Sequence, residues 1–169
     1  LLEASEKYPD SPDIPIVLYS LGALYFDAKD YEQSADIFNK FITRYPDHPS
    51  VKEARYFRGY AYYESGLWQQ AYNSFKQYVA AYPEDPAAAE TQYYASEALF
   101  NNKQFEAAAR EYRIVYQRFP RSDYAPMAMY AEGWCYFEME KFDDMVNVFK
   151  QLSTRFPNSS YAGDALFTV

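Results

Sequence analysis

The sequence predicts an all-α solenoid of antiparallel helix pairs, and three observations carry that expectation. An aromatic–proline pair returns at a fixed interval, ring columns stand seven residues apart inside each interval, and rings are abundant while glycine is scarce. The pair occurs at Tyr8-Pro9, Tyr45-Pro46, Tyr82-Pro83, Phe119-Pro120 and Phe156-Pro157, which makes four equal steps of 37 residues. Equal steps of that length, with no insertion or deletion, mark a repeat architecture. With 20 Tyr and 13 Phe against only 5 Gly, rings must fill much of the interior, and many tyrosine hydroxyls should sit at the edge of the core near water.

Cutting the chain after each aromatic gives units 9–45, 46–82, 83–119 and 120–156, flanked by partial units 1–8 and 157–169, as one array over residues 1–169. Within a unit the first two ring columns are Tyr19, Tyr56, Tyr93, Tyr130, Phe167 and Phe26, Tyr63, Phe100, Phe137. The next two are Tyr31, Trp68, Phe105, Phe142 and Phe38, Phe75, Tyr112, Phe149. The first column precedes the second by seven residues, and the third precedes the fourth by seven, which is two helical turns and places each pair on one helix face. Each unit therefore holds two amphipathic helices. First helices are expected near 13–28, 50–65, 87–101 and 123–139, and second helices near 31–44, 68–81, 105–118 and 142–155.

Proline after the aromatic ends each second helix, because it cannot continue the helical hydrogen bonding. Ser50 with Glu53, and Asp30 with Gln33, have the spacing of capping boxes. Glu64-Ser65-Gly66 reads as a tight turn between paired helices. One 37-residue unit is too small to bury a core of its own, so stability is expected as a sum over stacked neighbours. The ten prolines fall at turns and helix starts, which leaves no proline-rich linker.

Charge and motif content narrow the function classes. The formal charge of −8 opposes a phosphate backbone, so nucleic acid is not an expected partner. The arginines Arg110, Arg113, Arg118 and Arg121 read as solvated surface, with a phosphate or carboxylate contact as the alternative. No apolar run reaches the roughly 20 residues that span a bilayer, so no membrane insertion by this segment is expected. The opening LLEASEKYPD lacks the n-region and h-region of a secretory signal and reads as an internal segment of a longer chain. Cys135 is the one cysteine, so no internal disulfide forms; it shares a column with Leu24, Ala61 and Ala98 and reads as a small buried residue. His48, the one histidine, reads as a solvated turn residue rather than a base or ligand, and the pairs Asp143-Asp144 and Glu138-Glu140 read as solvated helix faces. No phosphate loop, metal spacing or nucleophile–base set is present, so neither enzyme activity nor a cofactor or metal is expected.

Further columns resemble the tetratricopeptide repeat. A small residue recurs in the first helix (Gly22, Gly59, Ser96, Gly133), an aromatic or Leu follows three later (Tyr25, Tyr62, Leu99, Tyr136), and a second column follows at Ser34, Ala71, Ala108 and Met145. An aromatic four later and the terminal proline complete the pattern across the whole chain. Two columns depart from it: Leu18, Arg55, Gln92, Met129, and Leu21, Arg58, Ala95, Glu132. The 37-residue unit and its Tyr-Pro-Asp-x-Pro turns are similar to bacterial cell-envelope members of that family, such as the Tol-Pal-associated repeat protein and the lipoprotein of the outer-membrane β-barrel assembly machinery. The resemblance implies a right-handed superhelix, a periplasmic or outer-membrane-associated setting, and a protein or peptide held in a concave groove lined by the first helices.

On those helices the groove column would be Tyr19, Tyr56, Tyr93 and Tyr130, with Ala23, Tyr60, Glu97 and Trp134 four residues later and Glu53, Glu90 and Met127 beside them. Such a groove is aromatic and acidic and suits a segment bearing apolar, proline or basic side chains. A ring repeated every 37 residues fits packing between neighbouring repeats equally well. Residues that break the period, Tyr60, Glu97 and Trp134, are therefore the stronger ligand candidates. The Lys, Asn and Arg of a carboxylate clamp are missing from these columns, which argues against an acidic C-terminal tail. Three readings follow: a binding scaffold or adaptor; a structural spacer that self-associates through its repeat ends; and a regulatory array joined to a catalytic domain elsewhere.

Overall fold

Each hairpin in this chain is closed by a turn that recurs with the sequence period. The computed structural model describes residues 11–168, and within them there are nine α-helices and no strand. They are α1 (Ile14–Asp27), α2 (Tyr31–Arg44), α3 (Val51–Glu64), α4 (Trp68–Ala81), α5 (Ala88–Asn101), α6 (Phe105–Arg118), α7 (Tyr124–Glu138), α8 (Phe142–Arg155) and α9 (Ser160–Thr168). The second helices coincide with the expected spans, and the first helices start one residue later than expected. Tyr8-Pro9 and the side chain of Phe167 lie outside the described residues.

Between paired helices a left-handed residue stops the first one. Lys29, Gly66, Lys103 and Glu140 have φ of 60°, 71°, 58° and 58° and stand 37 residues apart. In each case the next residue's N–H returns to a carbonyl five residues back: Asp30 to Tyr25, Leu67 to Tyr62, Gln104 to Leu99, Lys141 to Tyr136. This is the Schellman closure. It explains why the capping box expected at Asp30 does not form, and the inter-repeat turn has the same effect at Ser50. Asp30, pinned by that bond at ψ 69°, and Ser50, at ψ 8°, both lack the extended backbone an N-cap side chain needs, and neither makes a capping bond.

Another side chain serves the inter-repeat turn instead. Ser11, His48, Asp85, Ser122 and Ser159, again 37 apart, each accept the N–H two residues on. His48 takes the Ser50 N–H on Nδ1 at 3.2 Å and lies 5.3 Å from the Phe41 ring. It is thus a half-buried turn acceptor rather than the solvated ring expected from sequence.

The helices form two compact units, Leu1–Ala81 and Tyr82–Val169. In the first, α1 to α4 pack each on the next and α1 also touches α3; the core around Leu18, Leu21, Ile37, Phe38 and Phe41 is closed by Phe57 and Tyr19. In the second, α5 to α9 do the same, and α7 touches both α5 and α9. First helices therefore lie side by side within each unit. The small-residue column sits against the ring column: a Cβ on Gly22, Gly59 or Gly133 would come within 2.9, 2.5 or 2.1 Å of Phe38, Phe75 or Phe149. The remaining pair of these columns is Ser96 and Tyr112, both fully buried.

Candidate functional site

Where first helices lie side by side their outward columns become neighbours, and in the second unit this makes a pocket. A cavity of about 300 Å³ is lined by Tyr93, Glu97, Phe100 and Asn101 of α5, Met127, Tyr130, Ala131 and Trp134 of α7, Tyr112 of α6 and Tyr161 of α9. Four of the nine residues expected to bind, Tyr93, Glu97, Tyr130 and Trp134, meet here, all half-buried. The rings brace one another: Tyr130 is 6.0 Å from Trp134, 5.5 Å from Tyr161 and stacked at 5.4 Å on buried Phe149. Tyr93 packs 5.6 Å from Tyr112 and 5.4 Å from Tyr124.

Glu97 is held from beneath. The fully buried Tyr112 donates its hydroxyl to Glu97 Oε1. Burial, together with the nearby Glu97 charge, pushes the Tyr112 phenol far above its ordinary range, so it stays protonated and keeps donating. Sequence reasoning missed Tyr112 as a site residue, although it is the one hydroxylated ring in a phenylalanine column and stands opposite the one serine in a glycine column.

The other expected residues lie apart from this pocket. Glu90 lines a separate cleft of about 640 Å³ at the inter-repeat turns, together with Arg118, Arg121 and Tyr124. In the first unit Tyr19 packs edge-on at 5.8 Å to both Phe38 and Phe41, and burial followed by the Glu53 charge raises its phenol. Glu53 itself is exposed, with Lys52 Nζ 4.0 Å away. Tyr56 and Tyr60 sit 4.7 Å apart and lean on buried Tyr78 and Phe75.

Two charges in the departing column are buried. Arg58 donates to Ser74 Oγ at 2.9 Å, Asn39 Oδ1 at 3.0 Å and Gln77 Oε1 at 2.9 Å, and burial lowers its pKa. Glu132, fully buried, accepts from Arg113 Nε at 3.2 Å and from the Tyr116 hydroxyl at 2.7 Å. Arg113 stays exposed, as expected of a surface arginine, and from there it makes the carboxylate contact that was its alternative reading, anchoring buried Glu132 and donating to the Tyr136 hydroxyl at 2.8 Å. Cys135 is fully buried, and burial raises its thiol well above the ordinary range, which removes the thiolate that reactivity requires. Among the described residues no group of acids, histidines or cysteines is placed to hold a metal ion, and no helix is long and apolar enough to cross a membrane.

Solved structures with this fold are tetratricopeptide-like. MamA (residues 41 to the end) from Desulfovibrio magneticus RS-1 superposes with a TM-score of 0.68 at 18% identity, covering 90% of this chain and 81% of that one. A Podosopora anserina protein described as kinesin light chain nearly identical TPR-like repeats gives 0.66 at 16% identity, covering 86% and 76%. MamA from strain AMB-1 gives 0.66 at 17% identity, covering 85% and 74%. At these identities the likeness concerns the fold alone. No curated protein sequence matches the chain. The family described as outer membrane lipoprotein, YfiO, matches residues 1–169 from end to end. The chain is therefore a tetratricopeptide-like solenoid of the protein-interaction scaffold type, and it belongs to the YfiO family of outer membrane lipoproteins.

Proposed function

We propose that this chain is the partner-binding module of an envelope scaffold protein, acting in the periplasm or at the outer membrane, and that it holds an extended or helical protein segment along its first helices. The observation that carries this reading is the meeting of period-breaking residues, Glu97 and Trp134, with the tyrosine column in one accessible pocket. Rings with two rotatable side-chain bonds supply rigid contact area at low entropic cost, which is the composition of binding hot spots. Within the first unit, Tyr19, Glu53, Tyr56 and Tyr60 would offer a contact surface of their own on α1 and α3, and in the second unit Glu90 would add one at the inter-repeat turns.

Site-specific photo-crosslinking in cells tests the reading. A photoreactive residue at Met127 or Trp134 should give discrete protein adducts, whereas one at Gln117 or Asn147, exposed on the second helices, should not. Equal adducts from both faces, or none from the first helices, would refute it.

A further inference from the structure

We propose that the pocket between α5 and α7 receives the side chain of an arginine from the bound segment; the assignment rests on the groove reading above and sharpens it. Six rings, Tyr93, Phe100, Tyr112, Tyr130, Trp134 and Tyr161, line the pocket together with a single carboxylate, Glu97. A cation against ring faces with a carboxylate at hand is doubly favoured, by the ring quadrupoles and by charge. Glu97 Oε1 accepts from Tyr112, while neither oxygen has a Lys or Arg partner among the described residues. The pocket therefore presents a carboxylate that no Lys or Arg among the described residues balances, in a molecule of net charge −8.

Several features select arginine over other occupants. At about 300 Å³ the cavity is at the small end of ligand sites, the size for one side chain. A guanidinium is planar, stacks on aromatic faces and offers a fork of donors to a carboxylate; a lysine ammonium is a compact, strongly hydrated point charge. An acidic side chain would meet Glu97 head on. The position is also singular in the array, since its column reads Ala23, Tyr60, Glu97 and Trp134. Only here does a buried tyrosine hydroxyl occupy the ring column, where it fixes the carboxylate's orientation.

The test is an NMR titration of the whole chain with Ac-Ala-Arg-Ala-NH2, following the Trp134 indole N–H, with the citrulline and phenylalanine counterparts as comparisons. The arginine peptide should shift Trp134 saturably, and citrulline, nearly the same shape without charge, should bind about tenfold more weakly. Glu97→Gln should weaken arginine binding by a similar factor. Its amide oxygen still accepts from Tyr112, so the fold is kept, and an unchanged melting temperature checks this. Citrulline binding as well as arginine, or Glu97→Gln binding as well as the parent, would overturn the proposal. If only the phenylalanine peptide moves Trp134, the arginine assignment falls and the groove reading stands. If no peptide moves Trp134 and no crosslink forms from Met127, both fall.

Discussion

Gly133 offers the sharpest test of how the hairpins close. An alanine Cβ there would lie 2.1 Å from Phe149 Cε1 and 2.7 Å from its Cδ1 and Cζ, against an ordinary carbon contact of about 3.5–4.0 Å. Phe149 is buried at 1% exposure and stacked on Tyr130, so the ring has nowhere to retreat without moving a wall of the pocket. Alanine gains about 1 kcal/mol of helix propensity over glycine. Overpacking a filled core costs about 1–3 kcal/mol, and a clash this deep belongs at the upper end. Gly133→Ala should therefore destabilise by about 2 kcal/mol, a fall of roughly 4–8 °C in melting temperature for a chain of this size. Gly59→Ala, at 2.5 Å, should fall between. Gly22→Ala, at 2.9 Å, should cost least of the three, because the Phe38 ring has the shortest distance to move and the helix-propensity gain offsets more of the strain.

Urea denaturation followed by circular dichroism ranks the three variants, and Phe149→Leu added to Gly133→Ala should recover at least about 1 kcal/mol of the loss as coupling energy. A Gly133→Ala protein as stable as its parent, or no difference between positions 22 and 133, would refute the reasoning.

Three further outcomes are expected. The Tyr45 hydroxyl is buried and has no hydrogen-bond partner among the described residues, so Tyr45→Phe should stabilise by about 1 kcal/mol in urea unfolding. Lys103 holds φ 58°, which costs a side-chain-bearing residue about 1 kcal/mol, so Lys103→Gly should raise stability by up to that amount, whereas a glycine at Ala109, inside α6, should lower it. Burial raises the Tyr112 phenol in the folded state, so its contribution is fully present below the unfolded pKa of about 10 and is lost above it, when the unfolded chain alone ionises. The parent should therefore lose about 1.4 kcal/mol per pH unit above 10 relative to Tyr112→Phe, measured as urea midpoints at pH 8, 10 and 11. A pH-independent gap would contradict this.

The helices were legible in the sequence because a proline and a ring column bracket each one, and rings seven apart fix the buried face. The turn between paired helices was legible only at Gly66. Its equivalents Lys29, Lys103 and Glu140 adopt the same left-handed backbone, held there by the next residue's N–H bonding a carbonyl five residues back rather than by their own preference. The capping boxes at Asp30 and Ser50 failed because two different turns, the left-handed closure before Asp30 and the inter-repeat turn at Ser50, decided the backbone angles. In the candidate site, searching for residues that break the period led to Glu97 and Trp134. The same search passed over Tyr112, since a hydroxyl added to a ring barely registers when columns are read by size. The Arg113–Glu132 pair lay beyond a one-dimensional reading, because its members belong to different repeats and each alone looks like solvated surface.

That pair has a counterpart. Glu132 and Arg58 share one column, while their partners Arg113 and Asn39 share another, so equivalent joints carry opposite keys: acid against base in one, base against amide in the other. Repeats built on a common plan are in danger of mating with the wrong neighbour, by slippage or by exchange between chains. Here a shift by two repeats would set buried Arg58 against Arg113, two cations facing each other, and leave the buried carboxylate of Glu132 with an amide. Misplacing a buried charge in this way costs about 3–5 kcal/mol, enough to make the order of the repeats a property each one carries within itself.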